Sequence, residues 1–299
     1  MTFFFDRSPA VRRAGGRWAW PAALVLALAG TATAGGAFAA TLDRIGRDKM
    51  IRIAFREDAP PFSYKDQSGA PAGYMVDLCR AVAKHLGEQL NLTSVRLAYL
   101  PVTAVDRFGA IAQGKADLLC EPTTETLSRR RDVDFSIPTF VDGAGLMIRS
   151  DGPRSLKALA GRKIGVLAGT TTEDALHNTL NDASISAEVI PAKTHREGLA
   201  MLDEGRISAY FADRSILIFL NQQSKAPGKL MLADNYLTVE PYALALPRGD
   251  EDFRLAVDRA LSHIYRGGEI AAIFARTFGG KAKPSGILET LYLIAALPD

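Results

Sequence analysis

The strongest constraint on the fold is an alternation of strand-like and helix-like segments that occurs twice along the chain. In the first run, short apolar stretches predict strands at residues 50–55, 95–102 and 116–120. Between them, apolar residues at helical spacing predict helices at 74–86 and 104–113. Because such an alternation packs as a mostly parallel sheet with helices on its faces, this run predicts one α/β lobe.

A second alternation begins near Gly143 and predicts a second α/β lobe. Its strands are predicted at 163–167, 187–190 and 207–212. One helix is predicted to begin at a capping box formed by Thr170 and Glu173, and further helices are predicted at 195–202 and 213–222. A last strand is predicted at 242–246, followed by helices at 251–265 and 268–278. The tail from Pro284 is partly apolar and is expected to pack on a lobe.

Two connections between the lobes are expected, near 141–145 and 239–242, because the alternation restarts at the first and returns at the second. Lobe 1 then consists of residues 40–141 together with 242–299, and lobe 2 of residues 142–241. In such an architecture a ligand that touches both lobes favours a closed state.

The first 39 residues have the three-part pattern of a secretory signal peptide. Four arginines form a positive start, an apolar run covers 19–30, and Ala37-Phe38-Ala39 resembles a cleavage site. A transmembrane anchor is the alternative, but the apolar run is shorter than the roughly 20 residues that a span needs. We therefore expect the protein to be exported and the segment to be removed.

The charge distribution argues against nucleic acid as a partner. The chain carries a net charge of +3, and the four Arg and one Asp of residues 1–39 account for all of it. The mature protein is thus near neutral, and no basic run points to nucleic acid or to a membrane surface.

The cysteines predict a disulfide rather than a metal site. The two cysteines and four scattered histidines lack the spacing of zinc ligands, so neither a metal nor a cofactor is expected. Cys79 lies on the first predicted helix, and Cys120 ends a strand that should lie beside it. Because an exported protein meets an oxidising compartment, we predict that the two are bonded, with two buried thiols as the alternative.

Polar residues follow the strands of lobe 1, where ligands of open α/β sheets bind. Arg56 ends the first strand, where it either serves a ligand or pairs with Glu57 or Asp58. Arg107 lies at a helix start and either points into the cleft or outward. The segment from Cys120 to Arg129 combines hydroxyls, free amides and a guanidinium, a set that suits an α-carboxylate.

Lobe 2 offers a second set of polar residues. Thr170 opens a helix after a strand, which makes an anion site, a plain helix cap, or both. Asp213 follows a strand and either holds an ammonium group or caps the next helix. His195 lies at a helix start, where its charge could answer a carboxylate or its role could be structural.

From about Thr41 to Phe278 the chain resembles the periplasmic amino-acid-binding proteins of ABC importers, the bacterial solute-binding proteins of family 3. The stretches that carry the resemblance are FREDAPPFSYKD at 55–66, GYMVDLCRAV at 73–82, a T-x-x-x-x-R pattern ending at Arg129, VDFSIPTFVDG at 133–143 and GTT at 169–171. Within the family the chain is most similar to the glutamate/aspartate-binding type. The resemblance implies a type II periplasmic binding fold, two α/β lobes joined by a two-stranded hinge.

The resemblance also implies a role for each candidate residue. Arg129 would bind the α-carboxylate, helped by the amides of Thr124 and Thr170. The α-ammonium would meet the Pro122 carbonyl, the Thr124 hydroxyl and Asp213. A distal carboxylate would meet Arg56, Arg107 and His195. The implied function is capture of a free amino acid, glutamate or aspartate, in the periplasm by a monomer that delivers it to an importer permease.

Four positions depart from the glutamate/aspartate-binding pattern. Pro122 and Ala104 stand where that type has Ser, Leu167 stands for Thr, and Glu121 stands for Gly. The loss of three donors and the gain of one acid make another polar amino acid the alternative ligand. A dehydratase of cyclohexadienyl acids on the same fold is the enzyme alternative, with Glu121 as its acid or base and no second catalytic partner; we expect no enzyme activity.

Overall fold

The structure is a computed structural model that describes residues 41–226, 228–233, 237–280 and 282–298. The predicted signal peptide and its cleavage site lie outside the described residues. Within these ranges no helix combines the length and the apolar character that a membrane crossing requires.

The strands are β1 (Met50–Arg56), β2 (Asp58–Ala59), β3 (Ser63–Lys65), β4 (Pro71–Ala72), β5 (Arg96–Val102), β6 (Leu118–Leu119), β7 (Asp134–Phe135), β8 (Phe140–Asp142), β9 (Ala144–Arg149), β10 (Lys163–Leu167), β11 (Glu188–Ala192), β12 (Ala209–Asp213), β13 (Leu230–Leu232), β14 (Glu240–Tyr242) and β15 (Ala245–Leu246). The helices are α1 (Thr41–Asp48), α2 (Tyr74–Gln89), α3 (Arg107–Ala112), α4 (Thr171–Asp182), α5 (His195–Asp203), α6 (Arg214–Gln223), α7 (Glu251–Arg266), α8 (Glu269–Phe278) and α9 (Gly286–Ala295), and short 3-10 helices lie at Arg129–Arg131 and Lys157–Leu159.

The strands form two five-stranded sheets, each with a parallel core and antiparallel additions. The first has the order β5-β1-β6-β15-β7, in which β1 is parallel to both β5 and β6. The second has the order β11-β10-β12-β9-β13, in which β10 is parallel to both β11 and β12. Helices pack on both sheets, so the predicted architecture of two α/β lobes is confirmed.

A separate pair of antiparallel strands, β8 and β14, joins the two sheets. Asp142 lies opposite Glu240 in this pair, and Phe140 lies opposite Tyr242. The ring of Phe62 meets the rings of Phe140 and Tyr242 edge to face, at centroid distances of 4.9 and 5.4 Å. Such aromatic pairs contribute about 0.5–1.5 kcal/mol each beyond burial, so the hinge rests on a packed aromatic cluster.

The predicted disulfide is confirmed: Cys79 of α2 is bonded to Cys120, which directly follows β6. The sulfur–sulfur distance is 1.96 Å, and 41 residues separate the two positions. The bond ties the end of a central strand to the helix that packs on it. The segment after Cys120 therefore starts from a fixed point.

Two boundary predictions were wrong. The strand predicted at 242–246 is two short strands, β14 and β15. The pairing of β14 with β8 ends at Tyr242, the Ala243 amide then donates to Thr123 O at 3.1 Å, and the chain joins the first sheet as β15. The helix predicted from 104 begins at Arg107, because Thr103 N donates to Asp106 Oδ1 at 2.7 Å and closes a turn there.

The tail packs on the first lobe, as predicted, and it does so as the helix α9. Leu288 and Tyr292 are buried, and the Tyr292 hydroxyl is hydrogen-bonded to that of Tyr74 at 2.7 Å. The Tyr74 hydroxyl also donates to Thr139 O, one residue before β8, at 2.9 Å. The C-terminal helix thus supports the hinge from behind.

Candidate ligand-binding cleft

A narrow cleft with a cavity volume of about 20 Å³ lies between the two sheets. It is lined by Arg56, Arg107, Glu121, Pro122, Thr124, Arg129, Leu167, Thr170, Thr171, Thr172, His195, Asp213 and Ile216. The structure thus brings together all eight ligand-binding residues proposed from the sequence. Glu121 and Leu167, which the sequence analysis noted as departures from the glutamate/aspartate-binding pattern, line the cleft as well. Thr171, Thr172 and Ile216 are additional, and only their position near predicted strand ends could have pointed to them.

Strand ends and helix starts place these side chains. Arg56 and Asp213 are the last residues of β1 and β12, whereas Arg107 and His195 are the first residues of α3 and α5. Because the carboxyl ends of parallel strands meet at one edge of a sheet, both lobes turn their polar edges toward the cleft.

Arg129 is a partly buried cation that lacks an acidic partner. Its Nη1 donates to Thr124 O at 2.6 Å, and its guanidinium carbon lies 5.1 Å from the ring centroid of Phe108. No carboxylate of the described residues lies within 4.0 Å of it. Burial lowers the pKa of Arg129, although acidic groups further off, Glu121 first among them, oppose the shift. The side chain is therefore suited to bind an anion.

Two residues that line the same cleft as Arg129, Thr170 at the start of α4 and Thr124 after β6, carry unused main-chain amides. Thr170 caps α4 by accepting from Glu173 N at 3.2 Å, but the Glu173 carboxylate returns to Gly169 N, at 2.8 Å, rather than to Thr170. The predicted capping box is thus shifted by one residue. In the described part of the chain the amides of Thr170 and Thr124 make no hydrogen bond, so both remain donors at a helix start and a loop.

The opposite wall of the cleft carries buried acids. Burial, followed by the neighbouring charges of Asp142 and Glu240, raises the pKa of Asp213 to about 8. Burial likewise raises the pKa of Asp142 to about 6. Thr172 Oγ1 donates to Asp213 at 3.4 Å. Sequence reasoning missed Asp142 and Glu240, which pair across the hinge, because nothing local marks them. A cation bound here would relieve their mutual repulsion.

Arg56 is engaged by an acid of its own lobe. Its Nε and Nη2 donate to Asp58 Oδ1 at 2.7 and 2.5 Å, whereas Glu57 pairs with Lys65. The other oxygen of Asp58 accepts from His195 N, in lobe 2, at 3.1 Å. Burial alone would raise the pKa of Asp58, but Arg56 and His195 outweigh it, and the pKa is lowered. Asp58 therefore joins the two lobes as a carboxylate.

His195 is a buried, neutral imidazole. Burial and the nearby charge of Arg56 lower its pKa to about 3, against the opposing effect of Asp58. Its Nδ1 lies 3.0 Å from the Tyr210 hydroxyl. Without a carboxylate beside it the ring is thus a neutral hydrogen-bonding group, and a charge on His195 that answers a ligand carboxylate stays a prediction.

Glu121 lies between two arginines and is 1% exposed. Its Oε1 is 3.2 Å from Arg107 Nε, its Oε2 is 3.8 Å from Arg56 Nη1, and Thr123 donates its hydroxyl to the same carboxylate. Arg107 points into the cleft and also reaches Gly169 O in lobe 2, at 3.4 Å. Burial lowers the pKa of Arg107 to about 10, with Glu121 opposing the shift, so the guanidinium is charged at neutral pH.

Two α/β lobes around a polar cleft and a two-stranded hinge define a type II periplasmic binding fold. The chain belongs to the bacterial extracellular solute-binding proteins, family 3, whose family model matches residues 51–280. It is 29% identical over 267 residues to the L-glutamate/L-aspartate-binding protein of Pseudomonas aeruginosa, covering 89% of this chain and 88% of that protein. It is 30% identical over 224 residues to the general L-amino acid-binding periplasmic protein AapJ of Rhizobium johnstonii, covering 74% and 64%.

A solved structure shares the fold over most of its length. It is an ancestral amino acid-binding protein, a precursor of cyclohexadienyl dehydratase, with a TM-score of 0.70 and 26% identity over 80% of this chain and 99% of that chain. Members of the family that the chain belongs to bind free amino acids and work with the permeases of ABC importers.

Proposed function

We propose that the protein captures one free α-amino acid in the cleft and delivers it, in the periplasm, to the permease of an ABC importer. The observation that carries the proposal is the presence in one cleft of Arg129, a cation without an acidic partner in the described chain, and Asp213, an acid whose pKa is raised by burial. A zwitterion supplies the missing partner to both groups.

Each end of the zwitterion has its own set of contacts. Arg129 and the amides of Thr124 and Thr170 bind the α-carboxylate. The carbonyl of Pro122, the hydroxyl of Thr124 and the carboxylate of Asp213 bind the α-ammonium. The unused amides in the same cleft as Arg129 and the mutual repulsion around Asp213 support this assignment.

Glutamate and aspartate are the candidate ligands that the named relatives favour. Arg56 and Arg107 line the cleft and offer two guanidinium groups to a distal carboxylate, and His195 adds a neutral hydrogen-bonding group. A relative that binds glutamate and aspartate, according to its name, supports this candidate.

A neutral polar amino acid is the second candidate, and Glu121 is the observation that favours it. Asp58 and Glu121 already balance the charges of Arg56 and Arg107. A side chain without charge leaves this balance intact.

Closure of the cleft is expected to accompany capture. We propose that residues 40–141 with 242–299 move against residues 142–241 about the β8–β14 pair, in a protein that acts as a monomer. The contacts of Asp58, Arg107 and Thr124 across the cleft support this division.

Catalysis is not part of the proposed function. The carboxylate of Glu121 is engaged by two guanidinium groups and a hydroxyl, so it is not free to act as a general acid. Incubation of the protein with prephenate or arogenate is expected to give no aromatic product, and formation of one would establish the dehydratase alternative.

Calorimetric titration with the common amino acids tests the proposal. We expect one site per chain, and stabilisation by about 2.7 kcal/mol when a ligand is present at a hundred times its Kd. The matched controls are analogues that lack either the α-amino or the α-carboxyl group, such as 2-oxoglutarate and 4-aminobutyrate, which should not bind. If no α-amino acid binds, or if these analogues bind equally well, the proposal is wrong.

A further inference from the structure

The carboxylate of Glu121 occupies the part of the cleft where two guanidinium groups converge. Arg107 lies 3.2 Å from one of its oxygens and Arg56 lies 3.8 Å from the other. A ligand carboxylate bound to the same two arginines would have to share them with Glu121. Two carboxylates would then lie side by side in a site from which water is largely excluded, and such like-charge contacts are costly.

The charges that line the cleft or contact its arginines are balanced without a third anion. Asp58 offsets Arg56, and Glu121 offsets Arg107. Arg129 and Asp213 remain for the two ends of a zwitterion. An acidic ligand therefore brings one negative charge too many, whereas a basic side chain would face the two guanidinium groups that flank Glu121.

Arg107 nevertheless retains an unused donor. The ion pair between its Nε and Glu121 lacks hydrogen-bond alignment, so this buried N–H has no hydrogen-bond partner among the described residues. A neutral acceptor from the ligand can meet such a donor without adding charge.

We propose that Glu121 determines specificity by disfavouring acidic side chains and favouring a carboxamide. This proposal rests on the capture of an α-amino acid proposed above. The carboxamide oxygen accepts from Arg107 or from neutral His195, and its NH₂ group donates to Glu121. Both functions of the amide are thus satisfied, and the two internal ion pairs stay intact.

The test is calorimetric titration of Glu121→Gln with glutamate and with glutamine. Because the substitution removes the competing charge and keeps the side-chain size, the ratio of the Kd for glutamate to the Kd for glutamine should fall at least about tenfold, or about 1.4 kcal/mol. Glu57→Gln is the matched control, since Glu57 directly follows Arg56 but pairs with Lys65 at the surface. It removes the same charge and should leave the ratio within about twofold. A ratio in Glu121→Gln that stays at the wild-type value or rises overturns the proposal.

Thermal unfolding gives a second readout that survives a loss of stability. Glu121→Gln leaves two buried guanidinium groups without their shared acid, so the ligand-free variant is expected to be less stable than the wild type. Glutamate should restore its melting temperature more than glutamine does, and the reverse order overturns the proposal. If the wild type binds no amino acid, the proposed function fails as well; if it binds one and the ratio does not change, only the role of Glu121 fails.

Discussion

Arg129→Ala is the substitution that should affect every ligand in the same way. The α-carboxylate is common to all amino acids, and Arg129 is the cleft cation without an acidic partner in the described chain. Removing one partner of a buried charge pair costs about 3–5 kcal/mol. At about 1.4 kcal/mol per decade, this corresponds to a loss of roughly two to three and a half orders of magnitude in affinity.

The fold should tolerate the substitution. Among the described residues, Arg129 donates one side-chain hydrogen bond, to Thr124 O, and lies over the ring of Phe108. Each of these contacts contributes about 1 kcal/mol. A loss of about 2 kcal/mol corresponds to a fall of roughly 4–8 °C in melting temperature for a chain of this size class. The effect on binding is thus expected to exceed the effect on stability.

Titration calorimetry with glutamate and glutamine, together with thermal unfolding, separates the two effects. The matched control is Arg131→Ala, because Arg131 lies in the same 3-10 turn but is exposed, and among the described residues its side chain donates only to Ser128 O. It should bind like the wild type. Arg129→Lys should be intermediate, since an ammonium keeps the charge but not the bidentate geometry. If Arg129→Ala binds either amino acid with wild-type affinity, the carboxylate site has been misplaced.

Four further predictions address the rest of the molecule. Arg107→Ala should weaken glutamate binding at least about tenfold more than glutamine binding, because it leaves Glu121 less compensated; equal losses in calorimetry would contradict this. Reduction of the bond between Cys79 and Cys120, which are 41 positions apart, should lower the free energy of unfolding in urea by about 4 kcal/mol. The mass of the untreated protein should be that of the reduced chain minus two hydrogens. Alkylation of both thiols without reductant would disprove the bond. The pKa of Asp213 is about 8 in the folded protein against an ordinary 3.8, so between these values the folded state binds more protons than the unfolded state. The free energy of unfolding of the ligand-free protein should therefore fall as pH rises from 4 to 8, and it should fall less steeply in Asp213→Asn. If urea unfolding gives the same pH dependence for both proteins, the assignment is refuted. Saturating ligand should reduce the radius of gyration in X-ray scattering, and unchanged profiles would argue against closure about the hinge.

The central strands and the location of the cleft could be predicted because they depend on local pattern and on one topological rule. The strand predicted at 163–167 has the bounds of β10, since a strand buried in a parallel sheet is a continuous apolar run. The rule that ligands bind beyond the carboxyl ends of strands then selected Arg56, Thr170 and Asp213, which line one cleft.

Contacts made across the hinge could not be predicted in this way. Asp142 and Glu240 are 98 positions apart in the sequence and meet only because β8 pairs with β14. The neutral state of His195 depends on burial and on Arg56, a residue of the other lobe. The sequence showed that Glu121 adds a charge near the site, but its position between two arginines arises because the parallel strands β1 and β6 end side by side, next to the start of α3.

The hydrogen bond between Asp58 and His195 has a consequence for how an importer would distinguish loaded from empty binding protein. This contact is made by protein groups alone, and a hydrogen bond to a charged group contributes about 1.5–3 kcal/mol. In the closure proposed above, it raises the ratio of closed to open empty protein by roughly a factor of ten or more. Ligand that enters only the open form then binds with an apparent affinity reduced by the fraction that is open. Together with the contacts of Arg107 and Thr124 across the cleft, this bond affects the ligand concentration at which the protein begins to bind and the share of empty protein that is closed.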